Sequence, residues 1–268
     1  MIYVLTLTWN GLDKLQRLKD GLIKNLTHCN QSAVWCIRDN GSVDGTKEWL
    51  ESWDETVGLD TLLVDHNRAN FAQGVNSLFN KISFKEGEEN FVLLLNNDIE
   101  FADDTSLANM MDLMKDPKVG MVGARLLYSG TNKLQHAGVI FGPKYGNMPY
   151  HFRHKEESDQ HAEKNRYFQA VTAACCFIRQ GAFQAMDEKY FWAFEDIDLS
   201  LRIGAAGWKV AYCGQTKIYH EESASLKINP INKMFLSPNV KHFKSLWLGK
   251  YAHDHETYLT NKNYNIIQ

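Results

Sequence analysis

The sequence lacks the features that mark several large classes of protein. No stretch approaches the ~18 consecutive apolar residues that a membrane-spanning helix needs. The 32 acidic and 29 basic side chains nearly balance, and the net charge is −3. The chain therefore has neither the basic surface of a nucleic-acid binder nor a polybasic segment for anionic lipid. We expect no nucleic-acid partner, no transmembrane segment and at most peripheral contact with a membrane.

Cysteine is scarce and shows no pairing pattern. The five cysteines are odd in number, mostly lie in apolar surroundings and form no Cys-x-x-Cys pair; they are Cys29, Cys36, Cys175, Cys176 and Cys213. This pattern indicates buried, reduced thiols and argues against a disulfide framework or a structural zinc site. The first residues enter an apolar run without a basic segment or a cleavage site. We therefore expect no signal peptide and a cytoplasmic protein.

What the first hundred residues do contain is a regular alternation of short apolar runs and amphipathic segments. Strands are predicted at Ile2–Thr8, 34–37, 62–64 and Phe91–Leu95, with helices at 12–26, from near Thr46 and from near Phe71. This β-α-β-α-β-α-β order predicts a parallel sheet with right-handed crossovers. The 268 residues could hold one large α/β domain or two small ones.

The stretch 91–100, FVLLLNNDIE, is the most informative part of this alternation. Its five apolar residues are typical of a strand buried on both faces, and they end abruptly at Asn96, Asn97 and Asp98. Open α/β sheets bind ligands at such carboxyl ends of strands. Carboxylate and amide oxygens suit Mg²⁺ or Mn²⁺ carrying a diphosphate. By itself, the triplet fits an ordinary Asn-Asp turn equally well.

Polar clusters follow all four predicted strands, at residues 8–10, 39–45, 67–70 and 96–98. In a parallel sheet these four ends lie along one edge, so residues distant in sequence converge on one cleft. This convergence predicts a nucleotide-type ligand.

The second half of the chain has a looser pattern. We predict a helix at 104–114, strands at Val119–Tyr128, 133–141 and 170–178, and a long loop at 142–167. A helix at 195–206, short strands at 210–212 and 217–219, a helix near 241–248 and a polar, frayed tail would follow. His151, His154 and His161 have spacings near those of metal ligands, but scattered histidines in a loop are more often not a site. We place no metal there.

Four motifs in fixed order resemble the family 2 glycosyltransferases of the GT-A fold, including rhamnosyltransferase-like bacterial members. They are DNGSVDGT at 39–46, LNND at 95–98, EDIDLSLR at 195–202 and YH at 219–220. The linking segments 70–76 and 134–138 are similar to the family as well. The resemblance implies an α/β fold with a Rossmann-like, mostly parallel sheet flanked by helices. It covers residues 1–225, with a nucleotide-binding half at 1–100 and an acceptor and catalytic half at 101–225. A C-terminal helical extension and tail would occupy 226–268.

The resemblance also implies a chemistry. The enzyme would move a sugar, with inversion, from a UDP- or dTDP-linked donor to a hydroxyl of a glycan or lipid-linked glycan, assisted by Mn²⁺ or Mg²⁺. Asp98 and His220 would bind the metal, and Asp196 would be the catalytic base with Glu195 beside it. The residues implied to contact the nucleotide sugar are Thr8, Asn10, Asp39, Asn40, Asn70, Gly74, Asn96 and Asn97.

The spacing of the acids in the motif at 195–202 limits how many of them can point in one direction from a helix. Asp196 and Ser200 share one helix face, whereas Glu195 and Asp198 lie on others, so the three acids cannot all face one site.

Two departures from the family pattern stand out. Asn96 replaces an aspartate common in the family, and residues 185–188 replace a stretch usually rich in glycine.

Two other functions fit parts of the sequence. A catalytically silent nucleotide- or glycan-binding module could keep the fold, although the presence of Asp98 and Asp196 argues against it. A sugar nucleotidyltransferase would carry a glycine-rich phosphate loop after the first strand, which residues 7–11 do not provide. Metal-dependent hydrolysis of a donor would distinguish an enzyme from a silent module.

Overall fold

The computed structural model describes residues 1–53, 60–65, 68–143, 146–221 and 236–267. The predicted domain boundary at residue 225 and the first residue of the 67–70 cluster lie outside this range. Within the described residues, no helix combines the length and the apolar character that crossing a membrane would require.

The first half of the chain folds as its sequence pattern predicts. Its elements are β1 (Ile2–Thr8), α1 (Leu12–His28), β2 (Ala33–Asp39), α2 (Thr46–Glu51), β3 (Asp60–Asp65), α3 (Phe71–Phe79) and β4 (Phe91–Leu95). The four strands are parallel neighbours in the order β3-β2-β1-β4. Successive β1 residues point to opposite faces, so Tyr3 and Leu5 join one apolar cluster while Ile2 and Val4 join another. Strands β1 and β4 are therefore buried on both faces.

The second half completes a mixed sheet. Its elements are β5 (Ile99–Phe101), α4 (Ser106–Leu113), β6 (Val119–Tyr128), β7 (Leu134–His136), β8 (Val139–Phe141), β9 (Pro149–His151), β10 (Arg166–Phe168), β11 (Cys175–Arg179), α5 (Glu195–Ala205), β12 (Lys209–His220), α6 (Leu236–Trp247) and α7 (His255–Thr260). The full order is β10-β12-β6-β11-β4-β1-β2-β3. Strand β11 runs antiparallel to both β4 and β6, whereas β6 and β12 are parallel. One continuous sheet thus joins the two halves into a single domain.

Four strand predictions in the second half are wrong in extent. The strand predicted at 133–141 breaks at Gly138, whose φ is +100° and where an added Cβ would lie 2.4 Å from the Phe168 ring. The strand predicted at 170–178 forms only over Cys175–Arg179. The two strands predicted at 210–212 and 217–219 are one strand, β12, because an irregularity between Cys213 and Ile218 absorbs the intervening residues without ending the pairing.

The loop and tail predictions also need correction. The segment 142–167 contains β9 and the start of β10, and α6 begins five residues before the predicted position. The C-terminal tail is packed against the domain: Tyr258 of α7 is buried, and the Ile267 amide donates to the Asn165 carbonyl at 2.9 Å. These contacts are long-range in sequence, so local polarity does not predict them.

All five cysteines are free thiols, four of them buried and Cys29 half-buried. Burial raises the pKa of Cys36 to about 12, which keeps this thiol protonated and unreactive at neutral pH. The prediction of buried thiols is confirmed for every cysteine except Cys29.

Candidate functional site

The polar clusters that follow β1, β2 and β4 meet at one edge of the sheet. The Asn97 amide donates to the Thr8 hydroxyl at 3.1 Å, and the Asn40 backbone N–H donates to the Thr8 carbonyl at 2.9 Å. The Asn40 side chain also donates to the carbonyl of Ala69, within the cluster before α3, at 3.4 Å. The predicted convergence of these strand ends is therefore confirmed.

The loop after β2 is organised by its own side chains. The Asp39 carboxylate accepts from the backbone N–H of Ser42 at 3.1 Å and from its hydroxyl. Asn10 spans the gap from β1, because its Oδ1 accepts from the Val43 N–H at 2.8 Å. Gly41 has a φ of +81°, a conformation that glycine adopts without strain. These contacts place Asp39 and Asn10 at this edge of the sheet, with Asp39 engaged in holding the loop.

Aromatic and apolar surface lies exposed around this loop. Val43 is 89% exposed and Trp9 is 39% exposed. The Arg68 guanidinium lies over the Trp9 ring, 4.4 Å from its centroid. An exposed ring held in place by a cation offers a surface on which a planar base can stack.

Two predicted ligand residues have structural roles at the start of α3. Asn70 caps the helix: its Oδ1 accepts from the Gln73 N–H at 2.8 Å, while the Gln73 side chain accepts from the Asn70 N–H at 3.1 Å. Asn70 also donates to the Glu188 carbonyl at 3.1 Å. At Gly74 an added Cβ would lie 1.9 Å from Leu7 Cδ2, so this glycine lets α3 pack closely on β1.

The predicted metal ligands lie side by side. Asp98 follows β4, and His220 ends β12, which pairs with β5 at Ile99. The Asp98 Oδ1 and His220 Nε2 atoms are 3.1 Å apart, and both side chains are largely buried. Asn96 Nδ2 lies 3.2 Å from the same His220 nitrogen. Residues 122 positions apart thus form one small polar group.

A residue that the motifs did not identify orients His220. Gln135 of β7 is buried; its Nε2 faces the His220 carbonyl at 3.4 Å, and its Oε1 faces His220 Nδ1 at 2.7 Å. A carbonyl oxygen only accepts, so the Gln135 amide nitrogen faces it and the Gln135 oxygen faces the ring. Nδ1 therefore carries the hydrogen, and in this tautomer the Nε2 lone pair points toward Asn96 and Asp98.

The separation of this carboxylate oxygen and imidazole nitrogen is compatible with a shared divalent cation. Adjacent ligands of an octahedral Mg²⁺, with bonds of about 2.1 Å, lie about 3.0 Å apart, close to the 3.1 Å between Asp98 Oδ1 and His220 Nε2. Among the described residues there is no cluster of three or more His, Cys, Asp or Glu side chains that could hold a metal alone. Asp98 and His220 could therefore supply two positions of a site that a diphosphate and water complete.

The predicted catalytic acids open helix α5. Asp196 Oδ1 accepts from the Ile197 N–H at 2.8 Å, and its Oδ2 accepts from the Ala173 N–H at 3.3 Å. Burial raises the pKa of Asp196, while hydrogen bonds from the Thr172 hydroxyl and these amides oppose the rise. Asp196 thus has hydrogen-bond donors that support its charged form, although burial outweighs them.

Glu195 has the opposite environment. Its Oε2 has no hydrogen-bond partner within the part of the chain that the structure describes. Burial, together with the neighbouring charge of Asp196, raises the pKa of Glu195 well above the ordinary glutamate range. When the pair holds one proton, we expect Glu195 to carry it and Asp196 to remain a carboxylate.

Asp198 is excluded from this pair. It is buried, accepts from the Arg202 guanidinium at 2.8 Å and accepts from the Trp247 indole at 2.7 Å. On the other face the Ser200 hydroxyl donates to the Asp196 carbonyl at 2.9 Å. The prediction that the three acids cannot all face the site is confirmed.

Short hydrogen-bond links join the Asp98 side of the site to the acidic pair. The Asn96 N–H donates to the Ala174 carbonyl at 2.9 Å, one residue from the amide that binds Asp196. The Thr172 N–H donates to His136 Nε2 at 3.4 Å. Burial lowers the pKa of His136 well below its ordinary value, so the ring stays neutral and can accept this bond. Consecutive residues of β7, Gln135 and His136, therefore support the two sides of the site.

This chain resembles known glycosyltransferases in sequence. The family model described as "Glycosyltransferase like family 2" matches residues 2–234. The chain is 31% identical over 228 residues to the O-antigen biosynthesis protein RfbC of Myxococcus xanthus, covering 82% of this chain and 17% of that protein. It is 24% identical over 234 residues to the N-acetylglucosaminyl-diphospho-decaprenol L-rhamnosyltransferase of Mycobacterium tuberculosis, covering 79% of this chain and 72% of that enzyme. The chain thus spans only about a sixth of the Myxococcus protein.

The likeness extends to solved structures. The mannosyltransferase PcManGT from Pyrobaculum calidifontis, in complex with GDP-Man and Mn²⁺, superposes with a TM-score of 0.62 at 14% identity. The match covers 94% of this chain and 65% of that one. At this identity the likeness concerns the fold, which is the GT-A fold that the sequence motifs imply.

Proposed function

Because this chain belongs to glycosyltransferase family 2, we propose that it transfers one sugar, with inversion, from a nucleotide-diphospho-sugar to an acceptor hydroxyl. The observation that carries this proposal is the 3.1 Å pairing of Asp98 with His220, linked through residues 172–174 to a second, acidic group at Glu195 and Asp196. A leaving diphosphate needs a cation beside it, and an attacking hydroxyl needs a base.

Asp98 and His220 would hold the divalent ion, Mn²⁺ or Mg²⁺. When bound, the ion would neutralise the negative charge that grows on the departing diphosphate. Asn96 is the first residue of the triplet and is uncharged, so the protein itself supplies a single carboxylate to this group. Thr8, Asn40 and Asn97 form the edge against which we place the nucleotide.

Asp196 would act as the general base. Its carboxylate would take the proton of the acceptor hydroxyl as that oxygen bonds to the anomeric carbon. The bond from that carbon to the diphosphate would break on the opposite face, which inverts the configuration. A single carboxylate suffices for this reaction, and the hydrogen bonds that hold Asp196 fix its direction. Glu195, with its proton, would donate to another oxygen of the acceptor.

The relatives guide the choice of substrates. The mycobacterial relative is named for rhamnosyl transfer to a decaprenol-linked glycan, and the Myxococcus relative for O-antigen synthesis. We therefore favour a UDP- or dTDP-linked donor and a glycan or lipid-linked glycan acceptor, in the formation of a surface polysaccharide. The five free thiols favour a cytoplasmic setting.

A thermal-shift panel tests the donor side. UDP, dTDP, GDP and CMP are each added with and without Mn²⁺, because a ligand that binds only the folded state raises the melting temperature. We expect a metal-dependent rise with UDP or dTDP that disappears in Asp98→Ala. Absence of any metal-dependent rise would contradict the proposal and favour a catalytically silent module.

A further inference from the structure

The turn that precedes the acidic pair has an unusual backbone. Ala193 and Phe194 are consecutive residues with φ values of +68° and +76°. Residues with a Cβ rarely adopt this left-handed conformation, and they keep it only where the surroundings enforce it. Glu195 and Asp196 follow directly, so the direction of both carboxylates depends on this turn.

A buried side chain from helix α6 holds the two peptide groups of this turn. Asn239 is 2% exposed, and its amide nitrogen donates to the Trp192 carbonyl and, at 3.2 Å, to the Ala193 carbonyl. These two carbonyls belong to the peptide groups that precede Ala193 and Phe194. Rotation of Ala193 about φ would reorient these two carbonyls relative to each other, and rotation of Phe194 about φ would reorient the Ala193 carbonyl relative to helix α5. Asn239 therefore bonds directly to the strained part of the backbone.

Other α6 side chains contact the same segment on both sides of the turn. His242 Nε2 lies 2.7 Å from Asp187 Oδ2, before the turn. The buried Phe243 ring packs against Phe194, with centroids 5.3 Å apart. The Trp247 contact with Asp198 lies after the turn. Helix α6 begins at Leu236, beyond the end of the family match at residue 234.

We propose that Asn239 is a positioning residue for the acidic pair, and that α6 is part of the machinery that sets the catalytic geometry. The proposal rests on the proposed function, because it concerns the direction of the base. Asn239 would act through the Ala193–Phe194 turn and would not contact substrate. A side chain that served only to pack α6 would have no particular relation to the backbone at Ala193.

The first test replaces Asn239 with leucine, which keeps the number and branching of the side-chain heavy atoms and removes both hydrogen bonds. We expect nucleotide release from UDP- or dTDP-linked sugars to fall about tenfold at saturating donor. Binding of UDP or dTDP with Mn²⁺ should stay within about twofold, since Asp98 and His220 belong to other elements. Ser237→Ala, an exposed position on the same helix, is the control and should match wild type.

The second test asks whether the turn is the target. Glycine adopts positive φ without strain. In Ala193→Gly, residue 193 should therefore keep its left-handed conformation with less help from the hydrogen bonds of Asn239. In a double-mutant cycle, Asn239→Leu should cost about fivefold less in the Ala193→Gly background than in wild type. Equal losses in the two backgrounds would overturn the proposal, as would wild-type turnover in Asn239→Leu.

Hydrogen exchange keeps this test independent of the proposed reaction. Asn239→Leu should speed amide exchange at residues 193–198 and leave residues 91–98 unchanged, and Ala193→Gly should reduce that effect. If wild type neither binds nucleotide nor releases it from donors, the transferase proposal fails. If Asn239→Leu leaves amide exchange at residues 193–198 unchanged, the positioning role of Asn239 is wrong, whether or not the chain is a transferase.

Discussion

At the residue scale, the motifs identified the candidate metal ligands and missed the residues that support them. Asp98 and His220 stand in recognisable motifs, whereas Gln135 lies in a linking segment with no feature that marks it. Its role depends on the pairing of β7 and β12 with β6, which places Gln135 beside His220. Sequence spacing does not encode that neighbourhood. The local roles of Asn70 and Gly74 likewise become visible only from their contacts.

Gln135→Leu should weaken binding of Mn²⁺ by about tenfold or more, because the imidazole loses the partner that fixes its tautomer and orientation. The measurement is a titration of the protein with Mn²⁺ followed by electron paramagnetic resonance. Gln135→Glu keeps an acceptor for Nδ1–H and should retain most of the affinity. Gln169→Leu makes the same change where the glutamine contacts Ala252 and Asp254, and serves as the control. Equal affinity in Gln135→Leu and Gln169→Leu would refute this role.

Glu195→Gln should stabilise the fold increasingly as pH rises. Burial raises the pKa of Glu195, so the folded chain holds this proton more tightly than the unfolded chain. Ionisation therefore costs stability as pH rises from the ordinary glutamate pKa of about 4.3 through the raised value. Glutamine avoids that cost. Urea unfolding of both proteins at several pH values should show the gap widening toward alkaline pH, and a gap independent of pH would contradict the raised pKa.

At the element scale, the sequence predicted the first half well because each strand contains a short apolar run and its helices are periodic. Each of the four parallel strands and the three helices between them forms where expected. Predictions failed where tertiary contacts decide the outcome. Gly138 breaks a strand because the Phe168 ring occupies the space beside it. The irregularity between Cys213 and Ile218 leaves β12 continuous, although the apolar pattern is interrupted there.

Gly74→Ala should destabilise the fold by about 1–3 kcal/mol, because the new methyl group would overlap Leu7 where α3 packs on β1. Unfolding in urea measures the loss. Leu7→Ala in the same chain should relieve part of the overlap, so the two substitutions should be non-additive.

Gly204→Ala is the matched control for that substitution. Gly204 lies in helix α5, and among the described residues an added Cβ would meet no atom within 4 Å apart from its chain neighbours and the backbone of its own helix. Alanine should therefore be neutral or stabilise α5 by up to about 1 kcal/mol. Equal effects at positions 74 and 204 would show that packing against Leu7 does not explain the glycine.

At the scale of the whole molecule, the site is assembled from both halves of the chain. Asp98 comes from the end of β4, His220 from the last strand of the sheet, and the acidic pair from α5. The pairing of β11 with both β4 and β6 makes one sheet of the two halves. The division predicted at residue 100 places Asp98 in the first half and His220 in the second. These two side chains nevertheless lie together in one polar group.

The contact of helix α6 with the turn before the acidic pair could not be predicted from the sequence. Helix α6 was predicted approximately, yet no pattern indicates that Asn239 reaches the turn before Glu195. That contact joins residues 46 and 47 positions apart and depends on how α6 packs.

The most direct test of the account is donor turnover by Asp196→Asn, measured at saturating donor and Mn²⁺ beside wild type and Asp98→Asn. Asparagine keeps the size of Asp196 and cannot accept the acceptor's proton. We predict that Asp196→Asn binds UDP or dTDP with Mn²⁺ as wild type does, while turnover to acceptor falls by about 100-fold or more. Asp98→Asn should instead lose the metal-dependent binding. Full turnover by a folded Asp196→Asn protein would contradict the assignment of Asp196 as the base, and with it the mechanism proposed for this chain.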